Sequence, residues 1–268
     1  MSAGRLPALV ATFASELVDR VATASDGSLI GVYLHGSSAL GGWTPTRSDV
    51  DVLIVLRDDS PQPVRASVEA ALVAQSSACP GRGLESSVVS AQQAANPSAP
   101  WPFLLHVQAS HGAEPRLVSG DYIEGDSDLL MQYAVCRSAG IAVFGPDPIE
   151  VFGVVPRATI LSYLSDELRW GSTHGTEAYA VLNACRAQVF ASDGALVSKT
   201  EGGRIALARG LGPSEVIVRA LSEQRGESPA GSITSTSASF VESVAKELVA
   251  LALDEDEAGT TTDAEGNR

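Results

Sequence analysis

Hydrophobic positions in the first half of the chain alternate between two rhythms. Leu9, Phe13, Leu17 and Val21 fall three to four residues apart and predict an amphipathic first helix ending near Asp26. Gly31-Val32-Tyr33-Leu34 is a short β-prone run that Gly36-Ser37-Ser38 breaks. Residues 49–56 form a second apolar run, interrupted only by two aspartates at its start. Helical spacing returns over 64–78 through Val64, Val68, Ala71 and Leu72, with Pro63 just ahead of the start, where a proline is tolerated. Residues 84–89, 103–108 and 141–146 read as further short strands, 126–140 as a helix, and the proline-containing stretch 94–102 as a loop.

Beyond Asp147-Pro148 the texture changes. Residues 156–170, 176–192, 204–209, 214–224 and 235–253 all carry helical spacing, and no strand pattern interrupts them. A Ser/Gly/Pro linker at 226–234 separates the last two, and the acidic, Thr/Gly-rich residues after Leu253 read as a disordered tail. The pattern therefore predicts an α+β protein: an α/β domain with a mixed sheet over 1–153, a helical bundle of about five helices over 154–253, and a tail over 254–268.

Composition narrows the possible partners. The net charge of −14 in 268 residues argues against a nucleic-acid binder, which needs a basic face. Six acidic residues and one arginine from Leu251 onward carry −5 of it and leave −9 for the remainder, a balance that suits a cationic small molecule. No apolar run approaches the ~20 residues needed to span a bilayer, so no membrane role is expected. Cys79, Cys136 and Cys185 are scattered without metal spacing, which predicts reduced thiols and a cytoplasmic location.

The candidate chemistry lies between Gly31 and Leu56. A strand alternates faces, so Asp49 and Asp51 point one way while Val50, Val52 and Ile54 point the other. Two like charges side by side repel, and a divalent cation such as Mg²⁺, which takes one or two carboxylates plus phosphate oxygens, removes that repulsion. Gly36 lets backbone N–H groups approach a phosphate, and the Ser37 hydroxyl adds a donor. Glu85, at the start of the next strand, is the candidate third carboxylate.

The order Leu34-His35-Gly36-Ser37, then Asp49-Val50-Asp51-Val52, resembles the nucleotidyltransferase superfamily of the DNA polymerase β type. Three further stretches narrow the resemblance: Leu84-Glu85-Ser86, Val181-Leu182-Asn183-Ala184-Cys185-Arg186, and Gly194 to Lys199 ending in Ser198-Lys199. These are similar to segments of aminoglycoside adenylyltransferases of the streptomycin 3″ / spectinomycin 9 class. The resemblance implies a nucleotidyltransferase domain followed by a helical domain, and an enzyme that moves AMP from ATP to a hydroxyl of an aminoglycoside or aminocyclitol. It implies Asp49 and Asp51 as Mg²⁺ ligands, with Glu85 joining them as general base. It also implies that Gly36, Ser37, Arg186 and Lys199 contact the nucleotide. ATP and a cationic acceptor are the expected partners, and a monomer is the expected state. The alternative is a nucleotide-binding regulatory module of the same fold without acceptor turnover. Two departures fall on the acceptor side. Thr176, followed by Glu177, stands where streptomycin-accepting members carry an acidic residue, and residues 105–109 hold no tryptophan where the family has an aromatic segment.

Overall fold

The computed structural model describes residues 6–265, with side chains to 257. Residues 1–5 of the expected first helix and 266–268 of the expected tail lie outside the described residues. The chain forms two compact units, Met1–Val155 and Pro156–Arg268.

The first unit is a six-stranded sheet with helices on both faces. Its helices are α1 (Ala8–Ala24), α2 (Gly36–Ala39), α3 (Gln62–Ser76), α4 (Ala91–Ala95), α5 (Asp128–Ala139) and α6 (Pro148–Val151). Its strands are β1 (Leu29–Leu34), β2 (Val50–Leu56), β3 (Gly83–Ser90), β4 (Leu105–Ser110), β5 (Arg116–Ser119) and β6 (Ile141–Phe144). They lie in the order β5-β4-β3-β2-β1-β6. Only β2 and β3 pair in parallel; every other neighbour is antiparallel, so the sheet is mixed. A parallel pair needs a crossover connection, and α3 supplies it.

Val50, Val52, Ile54 and Leu56 turn to one face and form the core with Val10, Phe13, Leu17 and Val21 of α1 and Val68 and Leu72 of α3. Val10, rather than Leu9, belongs to the buried stripe of α1; Leu9 is exposed. On the other face Tyr33 packs edge-on against Phe152, which also meets Tyr133 of α5. Both faces of β2 are thus covered, which is why its sequence is almost continuously apolar.

Two elements of this unit carry little periodicity. Strand β5 has only four residues, and α4 has five, held by a capping box in which the Ser90 hydroxyl accepts from the Gln93 N–H while the Gln93 side chain accepts from the Ser90 N–H. Both fall where the sequence pattern predicts no regular element.

The second unit consists of α7 (Arg157–His174), α8 (Glu177–Asp193), α9 (Lys199–Arg209), α10 (Ser214–Gln224) and α11 (Ser235–Glu265). Helix α8 is central and packs against the other four. It is buried almost all round through Ala180, Val181, Ala184, Cys185 and Val189, as a helix enclosed on every side must be. Helix α9 starts at Lys199, five residues ahead of the expected Arg204, because Gly202 and Gly203 mask its periodicity. Both glycines sit where α9 meets α8: a Cβ at Gly202 would lie 2.8 Å from Arg186 Cα, and one at Gly203 2.7 Å from Leu182 Cδ2. Helix α11 continues through residues 254–265, where the sequence predicts a tail.

The buried Glu177 ties this unit together. Its carboxylate accepts from Arg219 Nε and an Arg219 terminal nitrogen at 3.2 and 2.9 Å, from Thr234 Oγ1 at 3.3 Å, and from the Ser237 hydroxyl. The Glu177 N–H donates to Gly231 O at 3.1 Å, and the Gly231 N–H donates to Glu223 Oε2 at 2.9 Å. The linker between α10 and α11 is thereby tied to α8. Burial raises the Glu177 carboxyl, but the hydrogen bonds from Arg219, Ser237 and Thr234 outweigh it and hold the group below its usual value of 4.5. A lowered carboxylate stabilises the fold above its unfolded pKa and loses that contribution as pH falls through the folded value. Glu177→Ala is therefore expected to cost about 2–4 kcal/mol at pH 7, measured by urea denaturation, and the deficit is expected to shrink as the pH is lowered below about 4.5.

Candidate active site

Parallel pairing of β2 with β3 sets Asp51 directly opposite Glu85. Directly opposed residues on adjacent strands share a face. Asp49 immediately precedes β2, two residues before Asp51, and all three carboxylates are half-buried. The three candidate acids therefore come together at the starts of β2 and β3.

The turn after β1 fits around Asp51. The His35 N–H donates to Asp51 O at 3.1 Å, and the Ser37 N–H donates to Asp51 Oδ2 at 3.3 Å. Gly36 has φ +55°, and a Cβ there would stand 2.0 Å from Asp51 Oδ2, so any other residue collides with the carboxylate. His35 is buried and neutral, its pKa pushed down by burial to about 4.

Glu85 carries the electrostatic load of this arrangement. Burial, and then the charges of Asp49, Asp128 and Asp126, push its carboxyl up to about 7. Asp126 and Asp128 were not singled out by sequence: an Asp-Ser-Asp at a helix start is explained by the helix dipole alone and gives no separate signal. Beside Glu85, Gln108 and then Arg116 continue the same row across β4 and β5.

The cationic candidates lie in the second unit. Arg186 projects from α8, half-buried, with its Nε enclosed and without a hydrogen-bond partner. Lys199, the first residue of α9, holds its Nζ 4.4 Å from the Tyr179 ring centroid. The Tyr179 hydroxyl donates to Glu167 of α7, and burial together with that carboxylate raises the phenol above its usual value. Gly171 and Gly175 make room for the Tyr179 ring: a Cβ at either would approach it to 3.0 and 2.8 Å. Trp170 stacks on His174 at 4.9 Å on the exposed side of α7 and meets Tyr179 edge-on.

Among the described residues no group of three or more His, Cys, Asp or Glu is arranged as a preformed metal cage. The donor set nevertheless fits Mg²⁺, which takes hard oxygen ligands and needs only one or two carboxylates beside phosphate oxygens. Burial first, and then the neighbouring aspartates, raise Glu85, and a divalent cation would offset the second of these effects. The orphaned Arg186 Nε similarly fits an anionic group.

Fold and site together define the class, a nucleotidyltransferase fold with a helical second unit. Residues 14–87 match the nucleotidyltransferase domain family, and residues 150–250 match the aminoglycoside adenylyltransferase C-terminal domain family. The chain thus carries a nucleotidyltransferase domain followed by a domain similar to the C-terminal domain of aminoglycoside adenylyltransferases. The spectinomycin 9-adenylyltransferases of Staphylococcus aureus strains Mu50 and N315 are each 30% identical to it over 152 residues, 53% of this chain and 55% of theirs. The chain thus spans about half the length of the curated relatives it matches. A crystal structure of spectinomycin adenyltransferase AAD(9) from Enterococcus faecialis, with ATP and spectinomycin, shares the fold at TM-score 0.58 and 17% identity, covering 90% of this chain and 98% of that one. Among the described residues no helix is long and apolar enough to cross a membrane.

The raised Glu85 has a stability consequence. A carboxyl whose folded pKa lies above its unfolded value destabilises the fold once ionised; the penalty is absent below about 4.5 and complete above about 7. Without divalent cations, Glu85→Gln is expected to stabilise the protein by about 1–3 kcal/mol at pH 8 and by almost nothing at pH 4.5, read from urea midpoints. A variant no more stable than wild type at pH 8 would show that the charge is not confined as described.

Proposed function

We propose that this chain transfers AMP from ATP to a hydroxyl of an aminocyclitol or aminoglycoside, of the spectinomycin or streptomycin type. The observation that carries the reading is the register that sets Asp51 against Glu85 behind the Gly36 turn, on a nucleotidyltransferase domain followed by an aminoglycoside adenylyltransferase C-terminal domain.

In this reading Glu85 accepts the proton of the acceptor hydroxyl. The freed oxygen attacks the α-phosphorus of ATP in line, the new P–O bond forms as the bond to pyrophosphate breaks, and pyrophosphate departs. Arg186 and Lys199 bind phosphate oxygens and offset the charge on the leaving group. The Gly36 and Ser37 turn positions Asp51 and contributes donors to the nucleotide. Asp49 and Asp51, with Glu85 beside them, would hold Mg²⁺, which when bound supplies neutralisation of phosphate charge. The acceptor meets an acidic face, in keeping with a cationic substrate and the overall charge of −14. The protein is assigned to the cytoplasm, where ATP is available, and to a monomeric state, with residues 1–153 carrying the metal-binding half and 154–253 the helical half.

A raised base must lose its proton before it can act. In kcat/KM measured against pH, the rate should rise with pH through an inflection at or below about 7. Raising the Mg²⁺ concentration should move that inflection lower, because a cation beside a carboxylate favours its ionised form.

The deciding measurement is the mass increase of spectinomycin and streptomycin by one AMP in the presence of ATP and Mg²⁺. Glu85→Gln should lower turnover by ~10²–10⁴-fold while ATP affinity is retained. Asp49→Asn and Asp51→Asn should abolish transfer, as should chelation of the divalent cation. Equal activity of wild type and the two aspartate variants would overturn the site assignment.

A further inference from the structure

Lys199 stands at a position that its helix does not favour. It is the first residue of α9, capped by Ser198, whose hydroxyl accepts from the Glu201 N–H at 3.3 Å. The start of a helix carries partial positive charge, so a cation there gains nothing from the helix dipole. The ammonium instead lies 4.4 Å from the centroid of the Tyr179 ring. The negative face of an aromatic ring attracts a cation without cancelling its charge.

The Tyr179 ring is itself held on several sides. Its backbone N–H donates to Thr176 Oγ1 at 3.2 Å in the first turn of α8, and its hydroxyl donates to Glu167 of α7. Trp170 of α7 meets the ring edge-on with centroids 6.2 Å apart, and Trp170 is in turn stacked on His174. Two glycines give the ring its room. A Cβ at Gly171 would stand 3.0 Å from Tyr179 Cε1, and one at Gly175 2.8 Å from Cδ1. Burial, and then the hydrogen bond to Glu167, raise the phenol, so the hydroxyl keeps the proton it donates. A phenol that donates to a carboxylate gains electron density in its ring, which strengthens the hold on an ammonium over its face.

The same junction carries the other cation. Arg186 lies about two turns beyond Tyr179 on the same face of α8. Gly202, about one turn beyond Lys199, packs on the backbone of Arg186, where its Cβ would stand 2.8 Å from Cα. Helix α9 thus brings Lys199 to the face of α8 that carries Arg186, and the ring fixes where on that face the ammonium rests.

On the adenylyl-transfer reading, in which Lys199 binds a phosphate of ATP, we propose that Tyr179 is the positioning residue for Lys199, its ring seating the ammonium before the nucleotide arrives. A lysine has a long, flexible stem, and binding a phosphate costs it rotamer freedom. The ring removes part of that cost ahead of binding, while Glu167, Gly171 and Gly175 keep the ring in place. Tyr179 acts on the phosphate only through Lys199.

The test is a double-mutant cycle on ATP binding in the presence of Mg²⁺, measured by calorimetry on wild type, Tyr179→Leu, Lys199→Met and the double variant, with each fold checked by circular dichroism. Tyr179→Leu should weaken ATP binding about threefold to thirtyfold, the range of a cation–π contact. Beside Lys199→Met the same change should weaken it by less than about twofold, because the partner it acts through is gone. Tyr179→Phe, which keeps the ring and releases Glu167, should lose less than Tyr179→Leu, and it replaces the leucine variant in the cycle where that variant fails to fold. Equal losses with and without Lys199, or a rise in acceptor KM as large as the loss of ATP affinity, overturn the positioning role and leave the transfer reading intact. A Lys199→Met variant that binds ATP as wild type does overturns the phosphate contact and the positioning role together. A wild type that binds ATP but adenylylates neither spectinomycin nor streptomycin overturns the transfer reading, and the cycle still decides the role of Tyr179. A wild type that binds no ATP overturns both.

Discussion

The first unit is organised around like charge held at close quarters. Parallel pairing of β2 and β3 fixes Asp51 against Glu85, and Asp49, Asp126 and Asp128 add their charges around the same two strands. No ordinary folding requirement favours this, since burial and the neighbouring aspartates raise the cost of ionising Glu85. The buried face of the same strands bears that cost: Val50, Val52, Ile54 and Leu56 are fully enclosed among α1 and α3, so the strands cannot shift register to separate the charges. A one-residue slip would put the carboxylates into the core and the valines into water. Registry enforced by apolar packing on one face is what makes electrostatic strain possible on the other.

Backbone geometry at the turn follows from the same constraint. Asp51 is held from behind by Gly36 and Ser37, and the 2.0 Å approach at Gly36 leaves no room for a side chain. The N–H of Ser37 serves the carboxylate directly, so the turn orients the acid as well as standing ready for a phosphate. The second unit handles charge in the opposite way. Arg186 is half-buried with an unused Nε, and Lys199 rests over an aromatic ring.

Much of this was legible in the sequence because strand alternation is a strict rule. Asp49, Asp51 and Glu85 could be put on faces from period two alone, and the chain order strand, glycine-serine turn, paired aspartates, strand suggested how the elements meet. Which strand lies beside which was not legible, because pairing is decided by contacts far apart in sequence. That is why Glu85 could be named while Gln108, Arg116 and His106, which reach the same face through β4 and β5, could not. Helix α9 was foreshortened because a glycine pair serves close helix packing and erases the apolar stripe that would announce it. Helix α4 gives no signal because five residues are too few for any periodicity, and its cap is made by side-chain bonds that pattern reading does not weigh. Asp126 and Asp128 were hidden for a different reason: a helix start already accounts for them.

The fate of Glu177 bears on where acceptor recognition resides. Glu177 follows Thr176, the position at which the resemblance places an acidic residue in streptomycin-accepting family members. In the fold its carboxylate is buried and saturated by Arg219, Thr234 and Ser237, and its backbone is committed to the 226–234 linker. Freeing it for a substrate would break an ion pair and several hydrogen bonds at once, leaving Arg219 and two hydroxyls without their partner. Thr176, the neighbouring residue, spends its hydroxyl as the helix cap by accepting the Tyr179 N–H at 3.2 Å. Neither residue has a group left to bind a cation.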